Sequence, residues 1–461
     1  MNRHNIWIHI GIAVVLVAFA AVLGQIGRWR SGLHVNTEVR NDRVKKQDDP
    51  IIKGTKDEVL VRFKPGVSLD KIRSLASANH DSVSDEIESV RGLTVIDDLD
   101  NADAEAVAKQ YAAMSYVLYA EPNFQIKIDE APNDPMFAEQ WALNNLGQDG
   151  GLNRADLDAL KAWETTKGDH EVVVAVLDTG VDFNHSDLAE NMWHRPDNVP
   201  AYTDDELGTF NDEHGFNGAD KIADPMDDNG HGTHCAGIIG AEGDNGIGIS
   251  GINWHVQIMP LKFLGGGGMG TTEDAIEAIN YTIDRKKHGV NVRIISASWG
   301  SNSYSKALED TIKAAGDAGI LFVAAAGNDG SNNDARPHYP SNYDLPNVIS
   351  VAALDRNDRL ASFSNYGVNS VDIAAPGKDI LSTWLNNGYR EASGTSMATP
   401  YVSGIAALIA ADQPSISMKD LRERLLNSAD KVAALDGKVA TGGRVCAANA
   451  LASRSVNHLQ H

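Results

Sequence analysis

Cysteine is nearly absent: only Cys235 and Cys446 occur in 461 residues. Two thiols cannot build a disulfide framework, and their spacing is not that of a zinc site. A single bridge between them is not expected. Positive charge is also scarce. Lys and Arg number 40 against 63 Asp and Glu, giving a formal net charge of -23 and a pI near 5.0. That balance excludes the basic patch that nucleic-acid-binding proteins normally carry. It suits a surface that stays in solution and binds cations. The remaining composition, 42% hydrophobic and 22% charged, is ordinary for a chain that buries a core. The length predicts two or three units.

The N-terminus reads "MNRHNIWIHIGIAVVLVAFAAVLGQ", a short polar start and an apolar run from Ile6 to Leu23. Its length lies between a signal-peptide core and a membrane span. Residues 1–24 are therefore expected to be a signal peptide or a signal anchor, and the rest of the chain to leave the cytoplasm. Arg28 and Arg30 follow the run, so flanking charge does not fix an orientation. Residues 25–56 are polar and without periodicity, as in a linker. Between 57 and 127, "EVLVRF", "GLTVIDD" and "YVLYAE" read as strands, with "SLDKIRSLASA" and "DAEAVAKQYAAM" as helices between them. This predicts a small α+β sandwich without any chemical motif.

A larger unit begins near Pro132. "EVVVAVLD", "VRIISASW" and "ILFVAAAG" are continuous apolar runs, as expected of strands buried on both faces of a parallel sheet. "TEDAIEAINYTIDRKK" and "YSKALEDTIKAAGDAG" have helical spacing. The pattern is that of a doubly wound α/β fold, a mostly parallel sheet with helices on both faces, whose sites gather at the carboxyl ends of strands.

Four residues at such ends carry chemistry. Asp178 closes the first buried run. In "DDNGHGTHCAGIIG", His231 and His234 open a helix. Either one His is a general base oriented by Asp178, or the pair ligates zinc. The zinc reading lacks the Glu that hydrolytic helix motifs place between their histidines. In "EASGTSMATPYVSGIAALIAA", Pro400 predicts a helix that begins at or just before Ser396. Ser396 alone reads first as a helix cap and only second as a nucleophile beside unpaired N–H groups. In "FVAAAGNDG", Asn328 is a turn residue or a donor to an oxyanion. Together, a base-orienting Asp, a His, a donor Asn and a Ser make the acyl-transfer set. Ser393, Thr395 and Thr399 keep structural roles.

The blocks "VVVAVLDTGVD", "DDNGHGTHCAGI", "SASWGS", "AAAGNDG" and "GTSMATPYVSGIAAL" resemble the subtilisin-like serine peptidases, over roughly Asn133 to Ser453. The resemblance implies that Asp178, His231 and Ser396 form the triad and that Asn328 is the oxyanion donor. It implies a peptidase domain over 131–461. It also implies that residues 57–130 are an inhibitory propeptide that aids folding and is cleaved between Ile128 and Pro132. Substrates would be peptides or proteins, bound as an added strand along Ser298, Trp299 and Gly300. Ala325, Ala326 and Gly327 would wall the first specificity pocket, and "FLGGGGMG" (263–270) would border subsites beyond it. With no charged residue entering that pocket, an apolar or broad preference is expected. The family's structural calcium site maps onto Asp134, Asp187 and Asn245, with backbone carbonyls near Glu242, Ile247 and Ile249, the oxygen ligands a hard cation takes. Cys235 should lie near the site as a buried thiol and make the enzyme sensitive to thiol reagents.

The resulting expectation is a monomeric, extracytoplasmic serine endopeptidase made as a zymogen. It meets a membrane only through its N-terminal segment and binds no nucleic acid. A zinc hydrolase and a binding protein on an inactive scaffold are the competing readings.

Overall fold

The computed structural model describes residues 58–100, 102–124, 131–205 and 208–452. The N-terminal apolar run, the expected linker and most of the expected cleavage stretch lie outside the described residues. The chain forms two compact units. No helix among the described residues is long and apolar enough to cross a membrane.

The first unit is a four-stranded antiparallel sheet with two helices. Its elements are β1 (Glu58–Phe63), α1 (Leu69–Ala78), β2 (Asp81–Glu86), β3 (Leu93–Asp98), α2 (Ala104–Ala112) and β4 (Val117–Pro122), with strand order β2-β3-β1-β4. Alternation along β1 buries Val59, Val61 and Phe63 against Ile72 and Ala76 of α1 and Val107, Ala108 and Tyr111 of α2. Ser68 caps α1 by accepting from the Lys71 N–H. The one strand that the sequence does not announce is β2, "DSVSDE", which is mostly polar. It sits at the sheet edge, where only its first residue, Asp81, is buried and accepts from the Tyr111 hydroxyl.

In the second unit α3 (Ala159–Trp163) leads into β5 (Gly168–Asp178), a small hairpin of β6 (Tyr202–Asp204) and β7 (Gly208–Phe210), and β8 (Phe216–Asn217). Next come α4 (His231–Gly240), β9 (His255–Lys262), α5 (Thr272–Lys287), β10 (Val292–Ala297), α6 (Lys306–Asp317), β11 (Leu321–Ala325) and β12 (Val348–Leu354). The chain ends through β13 (Ile373–Pro376), the hairpin β14 (Ile380–Trp384) and β15 (Gly388–Ala392), α7 (Thr395–Asp412), α8 (Met418–Asn427), β16 (Asp430–Lys431), β17 (Gly443–Arg444) and α9 (Ala447–Ala452). Nine strands form one sheet in the order β16-β17-β13-β12-β11-β10-β5-β9-β8, parallel except for the β16–β17 pair.

Strand β5 shows why the runs are unbroken. Val172, Val174 and Val176 join a core with α4 and α7, whereas Val173, Ala175 and Leu177 join a second core with α5 and α6. From Val172 onward both faces are covered, so period-2 alternation puts no position there in water. Each such Val or Leu side chain withdrawn from water contributes roughly 1.5–3 kcal/mol. Cys235 and Cys446 are both free and buried.

Candidate active site

Because β11, β10 and β5 are parallel neighbours, their carboxyl ends share one edge of the sheet. Asp178 ends β5, Ser298 follows β10 directly, and Asn328 lies three residues beyond β11. Helices α4 and α7 begin at the same place and bring His231 and Ser396.

Asp178 is fully buried, and its Oδ1 lies 2.7 Å from His231 Nδ1. The same oxygen accepts from the Thr179 N–H at 2.7 Å, and Oδ2 has no partner. The His231 ring feels two opposing effects. Burial depresses its pKa, but the adjacent Asp178 charge and hydrogen bond outweigh it and raise the value above the ordinary 6.5. Asp227 fixes the turn before α4. One of its oxygens accepts from Thr179 Oγ1 and from the N–H groups of Asn229 and Gly230, and the other from the Thr233 N–H and hydroxyl. A Cβ at Gly232 would collide with the Gly180 carbonyl and lie 3.1 Å from the Asp178 Cβ. Glycine there lets the helix start press against the strand end.

Helix α7 starts at Thr395, one residue before Ser396, and keeps Pro400 inside it. Proline lacks the N–H that would bond the carbonyl four residues back, which belongs to Ser396. That carbonyl instead accepts from the Ser298 hydroxyl at 2.8 Å and from the Cys235 thiol at 3.5 Å. The Ser396 hydroxyl, half-buried, donates to the Ser298 carbonyl at 3.0 Å. Asn328 Oδ1 accepts from the Thr395 N–H at 2.8 Å and the Thr395 hydroxyl at 3.0 Å. With its oxygen occupied at the helix start, the Asn328 amide has its NH2 left to donate.

His231 and His234 do not act as a pair. His234 Nε2 lies 3.1 Å from the Ile380 carbonyl and 2.9 Å from that of Arg390, and burial depresses its pKa to about 4. The zinc reading through these two residues is therefore corrected: one ring faces Asp178, the other two carbonyls of the β14–β15 hairpin. Ligand atoms of Asp178, His231 and Cys235 do lie within 4.8 Å of one another. Burial pushes the Cys235 thiol well above its ordinary range, which disfavours the thiolate a metal would need.

A cavity of about 290 Å³ opens beside Ser396, lined by Trp299, Gly300, Ala325, Gly327, Asn328 and the start of α7. Ser298 stands behind the serine. Ala326 does not reach the cavity: it is fully buried in a separate cluster with Ala352 and Val371, and its N–H bonds the Val351 carbonyl. Consecutive residues of an extended segment face opposite sides, which a three-residue motif does not convey. Asp329 and His338 also line the cavity. The expectation that no charged residue enters this pocket is thus corrected. Burial depresses the His338 pKa, and Asp329 opposes that shift. Asp329 was adjacent to the Asn328 motif, whereas "HYP" at 338–340 gave no signal. A second cavity of about 330 Å³ shares Trp299, Gly300 and Ser301, and is bordered by Phe263, Leu264 and Met269.

Away from these cavities, Asp134 and Asp187 are buried without an ionic partner among their hydrogen bonds. Asp134 accepts from the N–H groups of Asp244, Asn245 and Gly246. Asp187 accepts from Asn245 Nδ2 at 3.0 Å, the Ile249 N–H at 3.0 Å and the Tyr389 hydroxyl at 3.2 Å. Burial raises both carboxyls, Asp187 to about 6, with the Asp134 charge adding to the Asp187 shift. Asn245 Nδ2 also lies 3.5 Å from Glu242 Oε2, and Asn245 Oδ1 accepts from the Ile247 N–H. Two uncompensated buried carboxylates with an amide between them fit a hard cation. Binding one requires the Asn245 amide turned end for end. Ile249 meets Asp187 through its N–H, so only its carbonyl, in the next peptide unit, remains for a cation.

Comparison with known proteins adds relatives. The subtilase family profile matches residues 169–449, and that of the fervidolysin N-terminal prodomain matches 51–123. The chain is 35% identical over 396 residues to the thermophilic serine proteinase of Bacillus sp. (strain AK1), covering 86% of this chain and 87% of that one. Thermitase of Thermoactinomyces vulgaris is 36% identical over 301 residues, 65% of this chain and 92% of thermitase. A solved structure described as proteases from Pseudoalteromonas arctica PAMC 21717 superposes with a TM-score of 0.54 at 29% identity, over 70% of this chain and 99% of that one.

Proposed function

This chain belongs to the subtilase family of serine proteinases, and on that premise we propose that Asp178, His231 and Ser396 hydrolyse peptide bonds through an acyl-enzyme. The observation that carries the reading is the 2.7 Å contact of buried Asp178 with His231 Nδ1, in a site that also holds a serine at a helix N-terminus. Asp178 fixes the tautomer, leaving Nε2 as the base. The Ser396 hydroxyl turns from the Ser298 carbonyl to Nε2, loses its proton there and attacks the scissile carbonyl. The resulting oxyanion accepts from the Asn328 NH2 and the Ser396 N–H. His231 then protonates the leaving amine, and water repeats the sequence to release the acyl group.

An extended substrate lies along Ser298, Trp299 and Gly300, its first side chain between that segment and Ala325–Gly327 and its later ones toward 263–270. Asp329 and His338 make the first pocket favour side chains with polar or cationic ends, in place of the apolar preference the motifs alone suggest. Asp134, Asp187 and Asn245, with carbonyls near Glu242, Ile247 and Ile249, hold a calcium ion that supplies charge neutralisation to the folded state and takes no part in the reaction.

The 58–124 unit, in the segment matched by the prodomain profile, keeps the enzyme a zymogen until cleavage between Ile128 and Pro132. The enzyme acts as a monomer outside the cytoplasm, exported through its apolar N-terminus. A serine-directed phosphonate tests the chemistry: labelling at Ser396, lost in Ser396→Ala and indifferent to chelators, is expected. Activity that survives Ser396→Ala would overturn it. N-terminal sequencing of the mature enzyme tests processing, and a start before Asp57 would sink the zymogen reading.

A further inference from the structure

A cluster outside the active site has the composition of a metal centre. His194, Glu213 and His214 each offer one ligand atom, and the three atoms lie within 4.8 Å of one another. His214 stacks on Phe183 at 4.3 Å between ring centroids, and His194 meets it edge-on at 4.4 Å and 64°. The buried Nδ1 of His214 makes no well-aligned hydrogen bond, although the Trp193 backbone lies beside the ring.

The backbone beneath is held from both sides. The Arg195 N–H donates to the Glu213 carbonyl at 2.8 Å, which places the two ligand-bearing segments side by side. Trp193, fully buried, donates its N–H to the Ile258 carbonyl of β9 at 2.8 Å. Asp212, also fully buried, accepts from the Tyr202 N–H, the Tyr281 hydroxyl and Arg285, and pairs with Arg195 at 3.1 Å. Each ligand thus sits one or two residues from a fixed anchor.

We propose that His194, Glu213 and His214 bind a divalent transition metal of the zinc class, with water completing the coordination. Two imidazoles and a carboxylate suit Zn2+ and not Ca2+, which takes oxygens. Metal–ligand bonds of about 2.0–2.1 Å put neighbouring donor atoms about 3.4 Å apart in a tetrahedron. Closing to that spacing needs only small rotations, because His194 and Glu213 are exposed. The ion staples segment 194–195 to segment 213–214, so its effect is on stability and not on the reaction.

The test uses the full chain carrying Ser396→Ala, stripped of metal, kept in calcium and titrated with zinc chloride by calorimetry. One equivalent fewer is expected in His194→Asn and in Glu213→Gln than in the parent. Zinc should raise the parent's melting temperature and not theirs, and Co2+ should give tetrahedral visible absorption in the parent alone. Both substitutions are at exposed positions, and circular dichroism verifies their fold. Zinc held at Asp178, His231 and Cys235 would be common to all three proteins and leave the difference unchanged. Equal stoichiometry in parent and variants, or no binding at millimolar zinc, overturns the proposal.

Discussion

The Ser298 hydroxyl donates to the Ser396 carbonyl at 2.8 Å, in the place that the ring of Pro400 leaves without a donor. Ser396 returns a bond from its own hydroxyl to the Ser298 carbonyl, so the two serines hold each other. A net hydrogen bond is worth about 0.5–1.5 kcal/mol. Ser298→Ala should therefore lower kcat about 3- to 10-fold with KM nearly unchanged, and Ser298→Thr should restore most of it. A rise in KM with constant kcat would make Ser298 a substrate contact only.

Asn328 is aimed by Thr395, which engages its oxygen twice. Asn328→Ala should reduce kcat about 10²- to 10³-fold, the usual cost of one oxyanion donor. Thr395→Val removes one of the two aiming bonds and should give a smaller loss. Steady-state kinetics on one peptide substrate compares them; equal activity in Asn328→Ala and wild type would dismiss the donor role.

The proposed mechanism needs neutral His231, whose pKa stands above 6.5 because burial, which lowers it, is outweighed by the Asp178 charge and hydrogen bond together with the Asp227 charge. Activity should rise with pH through a midpoint above 6.5 in the kcat/KM profile, which reports the free enzyme. Asp178→Asn should lower kcat by about 10⁴-fold. An acid limb centred below 6.5 would contradict the assignment.

Calcium binding at Asp134 and Asp187 predicts that a calcium chelator shortens the half-life of activity on heating. A ligand at a hundred times its Kd stabilises by about 2.7 kcal/mol. Asp187→Asn should abolish the difference between calcium and chelator while the enzyme stays active at low temperature. A chelator effect of full size in that variant would place the ion elsewhere.

Cys235 is almost fully buried, and its thiol is pushed well above the ordinary range. Burial pushes Cys446 up to about 11. Only the thiolate reacts, so neither should be alkylated by iodoacetamide in the native enzyme, and both should be in denaturant. Inactivation of the native enzyme by iodoacetamide, as nearness to the site alone suggests, would contradict this burial.

The sheet is legible because strands covered on both faces carry long apolar runs: 172–177 of β5, and most of β10 and β11, stand out. The polar edge strand β2 gains its place from β3 and Tyr111, which local sequence does not encode. The proposed Asp178, His231 and Ser396 stand out in the sequence because each sits beside glycines and hydroxyls at an element boundary, and Asn328 because it lies in a glycine-flanked turn after a buried strand. His338 reaches its cavity from a loop with no such boundary. The hydrogen bond between Ser298 and Ser396 crosses 98 positions and depends on a missing N–H, so no periodicity records it. His194 and His214 come together only because Asp212 and Trp193 pin their segments.

Helix α7 brings Ser396, its backbone N–H and the Thr395 that aims Asn328, all in its first two residues. A nascent chain that has emerged only as far as β15 therefore has Asp178, His231 and Asn328 but neither the proposed nucleophile Ser396 nor the Thr395 that holds the Asn328 oxygen. The same helix packs in one core with β5 and β11. On the proposed assignment, any translation product that stops before α7 lacks the nucleophile and should be inert.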